Sequence, residues 1–127
     1  MKTYRFDRNL KIVECGDCEL TRALQMLKEC YSCGLKSYIN GEDAISETSF
    51  GLYTSERDFI EVTCNGLDSI DVHTDRLFGP SGLSGIFSLK KHIRISGHLS
   101  AISEVIRDYT RLNREQFEQK YEAHACR

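Results

Sequence analysis

Phe50-Gly51-Leu52-Tyr53-Thr54-Ser55-Glu56-Arg57-Asp58-Phe59-Ile60-Glu61-Val62-Thr63-Cys64-Asn65-Gly66-Leu67-Asp68-Ser69-Ile70-Asp71-Val72-His73-Thr74-Asp75 is the stretch that decides the fold. Apolar residues alternate with polar ones along it, the period of two that a half-buried strand requires, and two polar interruptions divide it into three strands. A slip of one residue would turn every side chain to the opposite face, so the alternation also dictates the register. A loop at Ser55-Glu56-Arg57 sets Leu52 opposite Ile60 and Phe50 opposite Val62. A loop at Asn65-Gly66-Leu67 sets Cys64 opposite Asp68, Val62 opposite Ile70 and Ile60 opposite Val72. A two-residue Asn-Gly turn would instead face Val62 with Ser69 and Ile60 with Asp71, against the apolar pattern. One face of the meander then carries Phe50, Leu52, Ile60, Val62, Cys64, Ile70 and Val72; the other carries Tyr53, Phe59, Glu61, Thr63, Asp71 and His73.

Toward the N-terminus, Tyr4 and Phe6, then Leu10 and Ile12, alternate with polar residues on either side of Asp7-Arg8-Asn9, which predicts a hairpin. From Asp17 the period changes. Leu20, Ala23, Leu24, Leu27, Cys30 and Tyr31 fall at helical spacing, with Asp17 placed to cap and Gly34 suited to the left-handed residue beyond the end, so a helix is expected over about Cys18 to Cys33. Toward the C-terminus, residues 75 to 90 contain Gly79-Pro80-Ser81-Gly82 and Gly85 and read as a long loop. A short strand from Lys90 to Ile95 follows, then a helix marked by Leu99, Ile102, Ile106 and Tyr109. Asn113 opens a last helix through a capping box with Gln116 and a staple of Leu112 on Phe117, ending near His124. The expected fold is α+β over residues 1–127 as a single domain: an antiparallel sheet of hairpin plus meander, one N-terminal helix, and a C-terminal helical pair packed on the apolar face.

The composition fits this. The chain has 127 residues, 40% hydrophobic and 28% charged, ordinary values for a domain that can bury a core. Met1 to Arg8 carries charge where a signal peptide would need an apolar run, and no apolar stretch is long enough to span a bilayer, so a cytoplasmic protein with no membrane partner is expected. The six cysteines then read as reduced thiols rather than a secreted disulfide framework.

Three constellations carry possible chemistry. Cys15-Gly16-Asp17-Cys18 and Cys30-Tyr31-Ser32-Cys33 form two C-x-x-C pairs, a zinc signal by spacing, but a helix between them would hold Cys18 and Cys30 apart by ~18 Å at ~1.5 Å per residue. No metal and no cofactor is therefore expected, and neither pair follows a strand of a βαβ unit as a thioredoxin-like motif would. The glycines at 79, 82 and 85 are followed by Ile86-Phe87 where a phosphate-binding loop needs Lys and Ser or Thr. His73 beside Asp71 and Glu61 would allow acid/base catalysis. Same-face neighbours of this kind occur on any polar sheet face, however, and no nucleophile or oxyanion donor accompanies them, so no catalytic residue is assigned.

Charge is distributed unevenly. Residues 1–39 carry a net of +2, residues 40–75 a net of −8, and residues 76–127 a net of +4. Glu42, Asp43, Glu47, Glu56, Asp58, Glu61, Asp68, Asp71 and Asp75 crowd the central stretch, with Arg57 as its one counter-charge. Such a strip repels nucleic acid and attracts basic proteins, raising association rates by ~10- to 1,000-fold at low salt. With Tyr53 and Phe59 as aromatic anchors, the expected partner surface comprises Glu42, Asp43, Glu47, Tyr53, Asp58, Phe59, Glu61, Asp68, Asp71, His73 and Asp75.

The acidic meander from Asp58-Phe59-Ile60-Glu61-Val62-Thr63-Cys64 to Ser69-Ile70-Asp71-Val72-His73-Thr74-Asp75-Arg76, with the closing helix Asn113-Arg114-Glu115-Gln116-Phe117-Glu118-Gln119-Lys120-Tyr121, resembles the small immunity proteins of bacterial contact-dependent growth inhibition and related polymorphic toxin systems. The resemblance covers about a third of the chain. It implies a cytoplasmic inhibitor, not an enzyme, that binds one cognate toxin domain, often a basic nuclease, and blocks its active site or substrate surface. A small enzyme built on His73 with Asp71 or Glu61, and a zinc-stabilised adaptor, are the competing readings.

Overall fold

The structure, a computed structural model, describes residues 1–41, 48–55, 58–66, 69–74 and 92–126, with the side chains at 69, 73, 74, 92, 125 and 126 outside the description. The elements are β1 (Lys2–Phe6), β2 (Ile12–Asp17), α1 (Leu20–Asn40), β3 (Ser49–Ser55), β4 (Asp58–Gly66), β5 (Ser69–Thr74), β6 (His92–Gly97), α2 (Leu99–Arg111), α3 (Arg114–Tyr121), a 3-10 turn (Glu122–His124) and β7 (Ala125–Cys126). The strands form one sheet in the order β2-β1-β3-β4-β5-β6-β7 with every neighbouring pair antiparallel. α1 carries the chain from β2 back over β1 to β3 and packs on β3 and β4, while α2 lies beside α1 over β5 and β6. This is the expected α+β architecture.

The meander face predicted to be apolar is the core. Phe50, Leu52, Ile60, Val62, Cys64, Ile70 and Val72 are all buried, and they meet Ala23, Met26, Leu27 and Cys30 of α1 and Ile102, Val105, Ile106 and Tyr109 of α2. Those helix positions recur at i, i+3, i+4 and i+7, so each helix offers one apolar stripe to the sheet. Burying an Ile, Leu or Phe side chain contributes about 1.5–3 kcal/mol over leaving it exposed, and this shared core is where most of the stability arises.

Register between β3 and β4 is as the alternation predicts, with Phe50 opposite Val62 and Leu52 opposite Ile60. Between β4 and β5 it differs by two residues: Cys64 faces Ile70, Val62 faces Val72 and Ile60 faces Thr74. The tip is tighter than three residues because Gly66, at φ 82°, lets the chain pair again at Ser69 after an irregularity between Cys64 and Gly66. An even shift keeps every side chain on its predicted face.

The helix α1 starts later and runs longer than the predicted Cys18 to Cys33. Asp17 belongs to β2, Glu19 holds the N-cap position without a side-chain cap, and the left-handed residue is Gly41 rather than Gly34. Gly34 is instead buried inside the helix. A Cβ there would lie 2.8 Å from the Cys64 carbonyl oxygen, so this glycine permits close approach of helix to sheet.

The first hairpin forms, but Leu10 is a turn residue at φ 61° rather than a strand residue. Asp7 explains this by accepting hydrogen bonds at Oδ1 from the backbone N–H of Asn9 (2.8 Å) and Lys11 (2.9 Å), which closes a longer turn. The strand expected over Lys90 to Ile95 is His92–Gly97, and β7 was not foreseen. The last helix has the predicted capping box, Asn113 Oδ1 accepting from Gln116 N at 2.9 Å and Gln116 Oε1 accepting from Asn113 N at 3.1 Å. Leu112 and Phe117 pack into the same core. The α-helix ends at Tyr121, with the 3-10 turn continuing to His124. The predicted loop of residues 75–90 lies outside the described residues.

Asp108, 1% exposed on α2, fastens α3 in place. Its carboxylate accepts from Tyr121 Oη at 2.6 Å and Arg111 Nη2 at 2.8 Å, and pairs with Lys120 Nζ at 2.6 Å. Burial pushes its pKa up, but the hydrogen bonds from Lys120, Tyr121 and Arg111 outweigh this and hold it below the usual carboxylate value.

Candidate functional site: the outer face of the sheet

The face of the sheet opposite the helices carries short cross-strand rows. One runs Glu14, Tyr4, Gly51, Glu61, His73, Arg94 from β2 to β6. Beside it on one side lies Lys2, Tyr53, Phe59, and on the other Ser49, Thr63, Asp71, Ser96. Tyr53, Phe59, Glu61 and Thr63 are half-buried, while Asp71, Arg94 and Ser96 are exposed.

Tyr4 is the centre of the first half of this face. The predicted alternation puts Tyr4 with the apolar residues of the hairpin, yet it is the polar Thr3 that faces the helices, donating to the Gly51 carbonyl oxygen at 2.8 Å. Tyr4 lies over Gly51 on the outer side, only 7% exposed, with its hydroxyl donating to Glu61 Oε2 at 2.7 Å. Phe6 meets it edge-on at 5.7 Å between ring centroids and Tyr53 sits at 5.9 Å. The Tyr53 hydroxyl donates to Glu14 Oε2, a bond that raises the tyrosine pKa because the carboxylate holds its proton. Tyr4, Ile12, Glu14, Tyr53, Ser55, Phe59 and Glu61 line a shallow groove of about 320 Å³.

A second depression of about 390 Å³ adjoins it, lined by Glu61, Thr63, Asp71, Arg94 and Ser96 with Val72 and Ile95. Here Asp71 accepts hydrogen bonds from Asn65 Nδ2 and Ser96 Oγ, and Ser49 Oγ donates to Thr63 Oγ1 at 3.1 Å. Glu61 belongs to both depressions.

Of the residues expected to bind a partner, the register brings Tyr53, Phe59, Glu61, Asp71 and the His73 position together on this face. Asp58 is not with them: it shares the parity of Ile60 and Val62, toward the helices, and its backbone oxygen accepts from Tyr109 Oη at 2.8 Å. Glu42, Asp43, Glu47, Asp68 and Asp75 lie outside the described residues, as does the His73 side chain. Sequence reasoning missed Tyr4, Glu14 and Arg94. Glu14 shares the parity of Leu10 and Ile12, the apolar positions of the predicted alternation, so only its pairing with Tyr4 places it here; Arg94 reaches the face only through the pairing of β5 with β6. The face is therefore less uniformly acidic than the linear charge distribution implies.

The cysteine pairs occupy different environments. Cys15 is exposed on the edge strand, and Cys18 is buried ahead of α1. Cys30 and Cys33 lie along that helix, with Cys30 fully buried against the sheet. Burial pushes the Cys30 thiol up to about 11 and the Cys64 thiol up to about 12. The helix separates Cys18 from Cys30, and among the described residues no group of three or more His, Cys, Asp or Glu is arranged to hold a metal ion. Among the described residues no helix is long and apolar enough to cross a membrane. Compared with known proteins, the chain matches no family model, no curated protein and no solved structure.

Proposed function

We propose that this protein is a cytoplasmic inhibitor that docks a basic protein domain on the outer face of its sheet, in the manner of an immunity protein neutralising a cognate nuclease-type toxin. The observation that supports this most is how the carboxylates are held. On the helices, Glu29, Glu104, Asp108 and Glu118 are each paired with a cation of the chain itself. On the outer face, Glu14, Glu61 and Asp71 are held by Tyr53, Tyr4, and Asn65 with Ser96, all neutral donors. Neutral donors orient a carboxylate without cancelling its charge. Side chains fixed before binding avoid about 0.5–1.5 kcal/mol each of ordering cost, so such a face is prepared for an incoming cation.

The test is direct. Where a secreted protein with a basic C-terminal domain is encoded beside this chain, calorimetry on the two purified domains should show a complex that weakens as salt rises, and co-expression should remove the domain's toxicity. A domain that neither binds nor loses toxicity overturns the proposal.

One observation favours a second reading. Glu61 sits directly opposite His73, with Arg94 on the far side, so a carboxylate, an imidazole position and a guanidinium share one row. A small enzyme using His73 with Glu61 or Asp71 would lose ~100-fold or more of its turnover on His73→Ala, the usual size of a general acid/base contribution.

A further inference from the structure

The groove between β2 and β4 has the shape and charge for one kind of side chain. Its floor is Tyr4, laid over Gly51, and Tyr53 and Phe59 supply ring surface beside it. Glu14 and Glu61 flank that floor. Each already accepts one tyrosine hydroxyl, and among the described residues neither forms an ion pair. An occupant must therefore be apolar enough to lie on aromatic rings and cationic enough to satisfy two carboxylates. A guanidinium meets both demands: it is planar, weakly hydrated, stacks on rings and presents five donors in a fixed fork. An ammonium is a compact, strongly hydrated charge, and leaving water for an aromatic groove costs it more.

We propose that this groove is an arginine pocket, taking one arginine side chain of the bound protein between Glu14 and Glu61 with its guanidinium stacked against Tyr53. The inference rests on the reading of the outer face as a protein-docking surface and names the side chain that anchors there. Two carboxylates reached through one groove select arginine over lysine by geometry as well as by hydration.

The experiment uses the intact chain, isotope-labelled, titrated with acetyl-Gly-Arg-Gly-amide and with the lysine and citrulline versions of that peptide. The arginine peptide should shift the resonances of Tyr4, Tyr53, Phe59, Glu14 and Glu61 in a saturable way. The lysine peptide should bind more weakly, as its strongly hydrated ammonium lacks the planar fork, and the neutral citrulline peptide about tenfold or more below the arginine peptide, given the strength of a partly desolvated cation–π contact. Glu14→Gln, which keeps the shape of the side chain, and Tyr53→Ala should each weaken the arginine peptide while leaving the thermal midpoint within a few degrees. Equal shifts from all three peptides, or arginine-dependent shifts elsewhere on the protein, overturn the pocket. A basic partner that binds normally to Glu14→Gln but not to Asp71→Lys would also remove the arginine pocket while preserving the docking face; a basic partner that binds neither the wild type nor any variant removes the docking face itself.

Discussion

Tyr4 occupies the space that a side chain at Gly51 would fill: a Cβ at position 51 would stand 1.9 Å from Tyr4 Cζ. The pair explains how a sheet with all its described helices on one side keeps an aromatic residue nearly buried on the other. The absence of a side chain on β3 makes a slot, the tyrosine ring fills it, and the hydroxyl reaches across the strand to Glu61.

Gly51→Ala should therefore push the ring out of its slot and break the bond to Glu61, costing about 1–2 kcal/mol on the scale of a lost hydrogen bond and lost packing. In a Tyr4→Ala background the same change has nothing to displace and should be neutral or stabilising by about 0.5–1 kcal/mol, since glycine is disfavoured in a strand. Urea denaturation of the four proteins in this cycle measures the coupling; additive effects would show that the ring does not depend on the slot.

Gly34→Ala provides the opposite test. Alanine is favoured over glycine by about 0.8–1 kcal/mol inside a helix, but here its Cβ would meet the Cys64 carbonyl oxygen, backbone that cannot swing aside. Net destabilisation is expected, with α1 lifted from β4, and a gain in stability would contradict the close approach.

Asp108→Asn should cost about 1–3 kcal/mol, because the buried carboxylate is lost as the charged acceptor for Tyr121, Arg111 and Lys120, while the two cations are themselves partly exposed and Lys120 keeps Glu104. The pH dependence follows from the sign of the shift. The folded pKa of Asp108 is depressed, so its stabilisation is fully present above the unfolded value of about 3.9 and is lost as pH falls through the folded value. The gap in stability between wild type and variant should thus narrow on acidification below about pH 4, as followed by thermal melts from pH 7 to pH 2.5.

The thiols should divide by environment. Cys15 is exposed and should react with an aromatic disulfide reagent at pH 8 without unfolding, whereas Cys30 and Cys64, raised by burial to about 11 and about 12, should react only when the protein is denatured. Peptide mapping after timed labelling reads this out.

Much of this architecture is legible in the chain because its signals are local. The pairing of Phe50 with Val62 follows from alternation across a short loop, and the box at Asn113 and Gln116 from four consecutive residues. The misreadings have non-local causes. Gly34 looks like a helix terminator until the β4 backbone is packed against it, and Tyr4 looks like a core residue until the slot at Gly51 exists on the outer face. The site was half legible for the same reason: Glu61, Asp71, Tyr53 and Phe59 share one meander, whereas Tyr4 and Arg94 reach the face through pairings that span longer stretches of chain, and Glu14 follows Tyr4 there across the hairpin.

The central claim is that the outer face of the sheet, through carboxylates held by neutral donors, docks a basic protein. Stopped-flow association of the cognate basic domain with wild type, with Glu61→Lys/Asp71→Lys, and with Glu115→Lys on exposed α3 surface tests it most directly. The account predicts that the double reversal slows association by at least about tenfold at low salt and flattens the salt dependence, as expected when steering charges are reversed, while Glu115→Lys leaves both unchanged. Equal effects from the two surfaces, or none from Glu61 and Asp71, would contradict it.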